Sequence, residues 1–143
     1  MYKRILVPVD GSDISEAALR EACALAGEGG GEVRLVYVID ERAIVAGSEF
    51  GDMLGVEKAQ ADAAREILGR LAKNCQGAQT HLIETTSVGQ GIGEAIVEEA
   101  REWGADLIVS GTHGRTGLRH LLMGSVAEGI VRSSTVPVLL VKA

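Results

Sequence analysis

Aromatic residues are scarce in this chain of 143 residues. Phe, Trp and Tyr make up 3% of it, although 46% of its residues are hydrophobic. A core of this composition must be aliphatic, and the chain is long enough to bury one. No apolar run reaches about 18 residues, which argues against a transmembrane helix and a membrane partner. The first residues lack the length and cleavage site of a signal peptide, so we expect a cytoplasmic protein.

Basic residues and cysteines are also few. The 14 Lys and Arg against 20 Asp and Glu give a formal net charge of −6. This balance argues against nucleic acid as a partner, because binding to a phosphate backbone needs clustered Lys and Arg. Cys23 and Cys75 lack metal-site spacing, and in a reducing compartment we expect two small packed side chains, with a disulfide as the alternative. The three histidines form no zinc pattern.

Strand and helix patterns alternate along the chain without a linker. The predicted strands are residues 3–9, 32–39, 79–86, 106–110 and 136–141, and the predicted helices are residues 13–27, 56–75, 92–103 and one that opens at Gly124 and Ser125. Residues 40–54 are predicted to be irregular. This alternation indicates βαβ units. It predicts a single α/β domain over residues 1–143, with a doubly wound parallel sheet and helices on both faces.

A glycine-punctuated loop follows the fourth predicted strand. Its sequence GTHGRTGLRHLLMGS separates Gly111 from Gly114 by two residues, and Gly114 from Gly124 and Ser125 by nine. The chain contains neither a Walker A sequence nor G-x-G-x-x-G. A strand, a glycine-rich loop and a helix N-terminus together favour a phosphate, because backbone N–H groups and the helix dipole then face the anion. Ser125 adds a hydroxyl donor and Arg115 a positive charge.

This motif and its setting resemble the ATP-binding branch of the universal stress protein family. The resemblance covers essentially the whole chain and is strongest at residues 106–141. It implies the strand order 3-2-1-4-5 of the adenine nucleotide alpha-hydrolase-like fold. In that order, ligands bind at the switch point between strands 1 and 4, beyond the carboxyl ends of the strands. The implied ligands are ATP, or ADP or AMP, with Mg²⁺.

The resemblance also implies which residues hold the nucleotide. Asp10, just past the first strand, would accept ribose hydroxyls or hold Mg²⁺ among the phosphates, although Asp-Gly-Ser fits an Asx turn or helix cap equally well. Val38 matches the position that lies against adenine. A second glycine cluster, residues 88–93, fits no phosphate fingerprint and is expected to be a turn. The implied nucleotide-binding residues are Pro8, Val9, Asp10, Val38, Gly111, Thr112, His113, Gly114, Arg115, Gly124, Ser125 and Val126.

No catalytic constellation is evident in the sequence. His113 lies in the glycine-rich loop, but spacing identifies no carboxylate partner for it, so we expect local packing or hydrogen bonding. The resemblance therefore implies a nucleotide-dependent sensor or adaptor in a stress response, acting through an unknown protein partner, with at most slow ATP hydrolysis. Two alternatives stay open: a slow ATPase or phosphotransferase, and a nucleotide-free dimerising scaffold.

The last predicted strand, residues 136–141, is an apolar run at the edge of the implied sheet. Pro137 fits an edge, because it cannot donate to a ladder. No charge follows until Lys142, so the strand must be covered. The resemblance implies a homodimer formed through residues 136–141. The alternative is burial by the chain's own loop, for which residues 40–54 are the candidate.

Overall fold

The computed structural model describes residues 1–40, 53–85, 91–114 and 123–142. The strands are β1 (Arg4–Pro8), β2 (Glu32–Asp40), β3 (Gln79–Thr85), β4 (Leu107–Gly111) and β5 (Val138–Val141), and the helices are α1 (Asp13–Gly29), α2 (Met53–Ala72), α3 (Ile92–Trp103) and α4 (Ser125–Ser133). All neighbouring strands are parallel, in the order β3-β2-β1-β4-β5. The predicted α/β class and strand order are therefore confirmed. Most of the predicted irregular segment 40–54 lies outside the described residues.

The central strand β1 explains why helices cover both faces of the sheet. Ile5 and Val7 pack into a core with α1 and α2, whereas Leu6 packs into a second core with α3 and α4. The exposed fraction of each of these three side chains is 0%. A strand buried on both faces must be apolar throughout rather than alternating, and the sequence of β1 meets this requirement.

The crevice at the centre of the sheet follows from the connections of β1 and β4. These strands are hydrogen-bonded neighbours, with Ile5 opposite Leu107 and Leu6 opposite Ile108. Beyond its carboxyl end, β1 leads into α1 on one face, whereas β4 leads towards α4 on the other. The two connections therefore diverge, which opens a crevice at the switch point of the sheet.

Cys23 and Cys75 are joined by a disulfide, so the expectation of two separate packed thiols is wrong. The reason lies where α2 ends. The apolar pattern extended this helix to Cys75, but the helix ends at Ala72, and the Cys75 N–H donates to the Ala72 carbonyl at 3.1 Å in the turn that follows. This turn brings the Cys75 Cα within 5.8 Å of the Cys23 Cα, inside the range that a disulfide allows.

Strand β5 forms one edge of the sheet, as the implied strand order predicted, but Pro137 precedes the strand instead of lying within it. The strand begins at Val138, and the Pro137 carbonyl accepts the Ile108 N–H at 3.1 Å without returning a bond. Val138 packs against the core on the α3 and α4 side, whereas Leu139 on the opposite face is 38% exposed. Within the described residues, no helix is both long and apolar enough to cross a membrane.

Candidate functional site

The crevice between β1 and β4 is the mouth of a cleft of about 360 Å³. A cleft of this volume is in the usual range for small-molecule and cofactor sites. It is lined by Pro8, Val9, Asp10, Ser15, Val36, Tyr37, Val38, Ile92, Ile96, Ser110, Gly111, Thr112, His113, Gly114, Gly124, Ser125, Val126 and Ala127. The cleft thus brings together the ends of three strands and the beginnings of three helices.

The lining includes every predicted site residue that the structure describes. Arg115 and the loop residues up to 122 lie outside the described residues. The lining also includes residues that the sequence reasoning missed, which are Ser15, Val36, Tyr37, Ile92, Ile96, Ser110 and Ala127. Both isoleucines follow the helical period of core residues, so their sequence carries no signal that separates a core position from the wall of a cleft.

One wall of the cleft is apolar. Val36, Val38, Ile92 and Ile96 belong to the core on the α3 and α4 side of the sheet, and Val36 and Ile96 are almost completely buried. Val126 at the start of α4 closes the same wall. These branched aliphatic side chains form a surface against which a flat apolar group can pack.

The backbone of β2 also borders the cleft. Pro8 and Val36 are the last paired residues of β1 and β2. Just past this pair, the Val9 N–H donates to the Val36 carbonyl at 2.8 Å. Peptide groups point to alternate sides along a strand, so the N–H and C=O of Val38 are directed to the same side as those of Val36. They therefore lie past the end of β1 and face the cleft, where they can read the hydrogen-bonding edge of a ligand.

The N-terminus of α4 also borders the cleft. Gly124 is its N-cap residue, and a glycine has no side chain with which to cap the helix. The Gly124 N–H donates to the Thr112 carbonyl at 2.6 Å, which fixes the start of α4 against the end of β4. Ser125, Val126 and Ala127 line the cleft. First-turn N–H groups have no partner within a helix, so this part of the cleft favours an anion.

The N-terminus of α3 differs from that of α4, although it too begins after a glycine. Gly91 is its N-cap residue, and Glu94 occupies the third position of the helix. The pKa of Glu94 is lowered first by the hydrogen bond from its own backbone N–H, then by Arg132, and further by the N–H of Gly91. Glu94 therefore caps α3 in the manner of a capping box. Residues 88–90 of the turn predicted before α3 lie outside the described residues.

Asp10 lies on the floor of the cleft and takes part in the turn that leads into α1. Its Oδ1 accepts the Ser12 N–H at 2.9 Å, and its own N–H donates to the Ser15 Oγ at 3.3 Å. The Asx turn that the sequence left open is thus present, and the same carboxylate lines the cleft. Its Oδ2 would lie 2.9 Å from a Cβ added at Gly114. The Asp10 side chain therefore lies between the turn after β1 and the loop after β4.

The motif glycines are required for space rather than for an unusual backbone. Gly111, Gly114 and Gly124 do not have positive φ angles. A Cβ at Gly111 would overlap the side chain of Ile14 in α1, and a Cβ at Gly124 would approach the Thr112 carbonyl to 3.3 Å. The motif therefore allows α1, Asp10 and the loop to approach one another closely.

His113 makes the local hydrogen bond that was expected for it. The Thr112 Oγ1 and the His113 Nδ1 are 3.0 Å apart. Among the described residues, no group of three His, Cys, Asp or Glu side chains is arranged to hold a metal ion. Asp10 is the carboxylate in the described lining, and one carboxylate with ligand phosphates is a usual environment for Mg²⁺. The site thus fits a metal that arrives with a phosphate ligand.

Comparison with known proteins shows what the chain is similar to. The model of the universal stress protein family matches residues 1–142. The chain is 37% identical to universal stress protein MJ0531 of Methanocaldococcus jannaschii over 99% of its own length and 83% of that protein. It is 35% identical to universal stress protein MJ0577 of the same organism, over 99% of its own length and 96% of the relative.

Solved structures give the same result. The structure of MJ0577 superposes with a TM-score of 0.85 at 33% identity, covering 100% of this chain and 97% of the other. A universal stress protein from Archaeoglobus fulgidus in complex with dAMP matches with a TM-score of 0.67 at 26% identity, covering 99% and 98% of the two chains. A universal stress protein in complex with cAMP matches with a TM-score of 0.67 at 25% identity, covering 99% and 97%.

Proposed function

The chain belongs to the universal stress protein family, and from that premise we propose that its cleft binds an adenine nucleotide. The observation that carries the proposal is that the N-terminus of α4, whose N-cap residue is a glycine, lines the same cleft as an apolar wall. A nucleotide combines the two matching features, anionic phosphates and a flat base. The dAMP and cAMP complexes of two structural neighbours support the choice of an adenine nucleotide.

In this proposal the phosphates lie at the first turn of α4. The N–H groups there, together with the hydroxyl of Ser125, donate to phosphate oxygens. The base packs against Val38, whose peptide group reads its edge. Asp10 accepts the ribose hydroxyls or holds Mg²⁺ that arrives with ATP. The remaining proposed contacts are Pro8, Val9, Gly111, Thr112, His113, Gly114, Arg115, Gly124 and Val126.

The proposed biological role is that of a nucleotide-dependent sensor or adaptor in a cytoplasmic stress response. Occupancy of the cleft favours one arrangement of the surrounding loops, and a protein partner binds that arrangement. In this proposal residues 1–143 act as one nucleotide-binding domain. In this proposal ATP hydrolysis is at most slow.

The proposed assembly is a homodimer formed through β5. The strand lies at one edge of the sheet, and Leu139 is 38% exposed there. Pairing two copies of this edge would satisfy its outward peptide groups and cover the apolar strand. The dimer is a proposal separate from nucleotide binding, and its own test is given in the Discussion.

The nucleotide proposal is tested by what the purified protein releases on denaturation and by one variant. An added Cβ at Gly114 would lie 2.9 Å from Asp10 Oδ2, so Gly114→Val displaces the carboxylate and narrows the phosphate end of the cleft. We expect the wild-type protein to release, or to bind in calorimetry, about one adenine nucleotide per chain. We expect the variant to bind at least about 100-fold more weakly, a loss of roughly 2.7 kcal/mol.

Gly69→Val is the matched control, because nothing lies within 4 Å of an added Cβ at that position in α2. It should bind nucleotide as the wild type does. An empty wild-type protein that also fails to bind ATP with Mg²⁺ would favour the nucleotide-free scaffold. Steady phosphate release that is lost in an Asp10→Asn or His113→Gln variant would favour the enzyme instead.

A further inference from the structure

The disulfide joins the two helices that cover one face of the sheet. Cys23 lies in the second half of α1, and Cys75 lies in the turn after α2. The same two helices are linked by a second contact, the ion pair between Arg70 Nη1 and Glu16 Oε1 at 3.4 Å. The apolar wall of the cleft lies on the opposite face, with α3 and α4. The disulfide is therefore a feature separate from the proposed nucleotide site.

The two sulfur-bearing residues differ in exposure. Cys75 is 5% exposed and is a member of the core between α1, α2 and the sheet. Cys23 packs against that core but is only partly buried. Arg20, which is exposed, precedes Cys23 by three residues, so its Cβ lies one helical turn away on the same face of α1. A nearby cation favours the thiolate form of a cysteine and attracts anionic thiols.

From this asymmetry we propose that Cys23 and Cys75 form a reversible thiol–disulfide site, with Cys23 as the sulfur that incoming thiols attack. A thiolate of a small dithiol or of glutathione attacks Cys23 Sγ, the Cys23–Cys75 bond breaks, and Cys75 leaves as a thiolate. A second thiol then attacks the mixed disulfide and releases the Cys23 thiolate. The reductant is oxidised to its own disulfide, and the protein gains two electrons and, after protonation, two thiols.

The packing around the disulfide indicates that the reduced protein stays folded. Leu19 and Ala22 of α1 and Leu68 and Leu71 of α2 are buried in the shared core, so apolar packing also holds the two helices to the sheet. A bond that opens in the native state suits a reducing compartment, where protein disulfides are characteristically transient or redox-sensing. In the proposed reduced state, Cys23 is the more exposed of the two cysteines and Cys75 the shielded one.

Native redox titration of the wild-type protein tests the proposal. The folded protein is equilibrated in glutathione buffers of graded ratio, quenched in acid and alkylated, and the labelled cysteines are identified by peptide mass mapping. We expect one reversible two-electron transition. When reduced native protein receives a brief pulse of iodoacetamide, Cys23 should be labelled at least about tenfold faster than Cys75, because access and thiolate character set the rate.

Two single variants separate the roles of the two sulfurs. Cys75→Ser should form a mixed disulfide at Cys23 with oxidised glutathione, whereas Cys23→Ser should react at least about tenfold more slowly at the shielded Cys75. Circular dichroism of each variant checks that the fold is retained, and the wild-type pulse labelling needs no variant. Equal labelling rates, a bond that opens only in denaturant, or two free thiols under oxidised glutathione would each overturn the proposal.

Discussion

Glu94 and Ala127 occupy the same position, the third residue, in two helices that both begin after a glycine. In α3 the carboxylate of Glu94 turns back to the N-terminus, and Arg132 of α4 donates to its Oε1 at 3.2 Å. In α4 the methyl group of Ala127 offers no acceptor, and Ser125, Val126 and Ala127 line the cleft. The two helix N-termini therefore differ in whether a carboxylate at the third position competes with a phosphate for the first-turn N–H groups.

This cap predicts how stability depends on pH. The pKa of Glu94 in the folded protein lies below its ordinary value of 4.5, because backbone N–H groups and Arg132 stabilise the charged form. A carboxylate with a depressed folded-state pKa contributes stability that is complete above about 4.5 and is lost as the pH falls through the folded-state pKa. The gap in unfolding free energy between wild type and Glu94→Gln should be largest near pH 7 and should shrink towards pH 3. Urea denaturation across that range measures it.

Glu128→Gln is the control for this prediction. Glu128 Oε1 also contacts Arg132, at 3.6 Å, but it lies within α4 and caps no helix in the described residues. Its removal should change the pH profile less than removal of Glu94 does. Identical profiles for the two variants would mean that the ion pairs with Arg132, rather than the cap, carry the effect.

At the scale of secondary-structure elements, α3 and α4 approach each other through two glycines. A Cβ added at Gly93 would lie 2.9 Å from the backbone of Gly129. Gly93→Ala must therefore push the helices apart, and overpacking of this kind costs about 1–3 kcal/mol. Because Ile92 of α3 and Ser125 of α4 both line the cleft, the shift should also weaken nucleotide binding by roughly tenfold, or about 1.4 kcal/mol. Chemical denaturation and calorimetry measure the two effects.

Gly69→Ala provides the matched substitution in another helix. Gly69 is exposed in α2, and nothing lies within 4 Å of an added Cβ. There the change should stabilise the protein by about 0.5–1 kcal/mol, because alanine is the better helix former. If Gly93→Ala were equally stabilising, the close contact between α3 and α4 would not limit the packing.

The elements show how far the sequence alone reaches. The apolar runs of β1 and β4 predicted strands, and the glycine spacing after β4 predicted a phosphate-binding loop, because both are local signals. The reason for those glycines was not local. Gly111 makes room for Ile14 of α1, and Gly114 for the carboxylate of Asp10, and only the folded chain brings these residues together.

At the scale of the whole molecule, the alternation of elements predicted a parallel sheet but could not fix the order of its strands. Local periodicity records which face of an element is buried, and it holds no information on which strand lies beside which. The order β3-β2-β1-β4-β5 followed from the family resemblance. The bond between Cys23 and Cys75, 52 residues apart, was missed for a related reason, since the turn from Ala72 to Cys75 redirects Cys75 towards α1.

The proposed dimer is the last property that belongs to the whole molecule. Burying a carboxylate in an apolar seam costs several kcal/mol unless it is paired, so Leu139→Glu on the edge strand β5 should shift the protein from dimer to monomer. Tyr2→Glu is the control, because Tyr2 has the same exposed fraction of 38% but lies outside β5, before the first strand. Sedimentation velocity should then give a dimer for the wild type and for Tyr2→Glu, and a monomer for Leu139→Glu. If the wild type sediments as a monomer, or if Leu139→Glu leaves a dimer intact, the edge of β5 is covered in another way, and the two copies do not meet there.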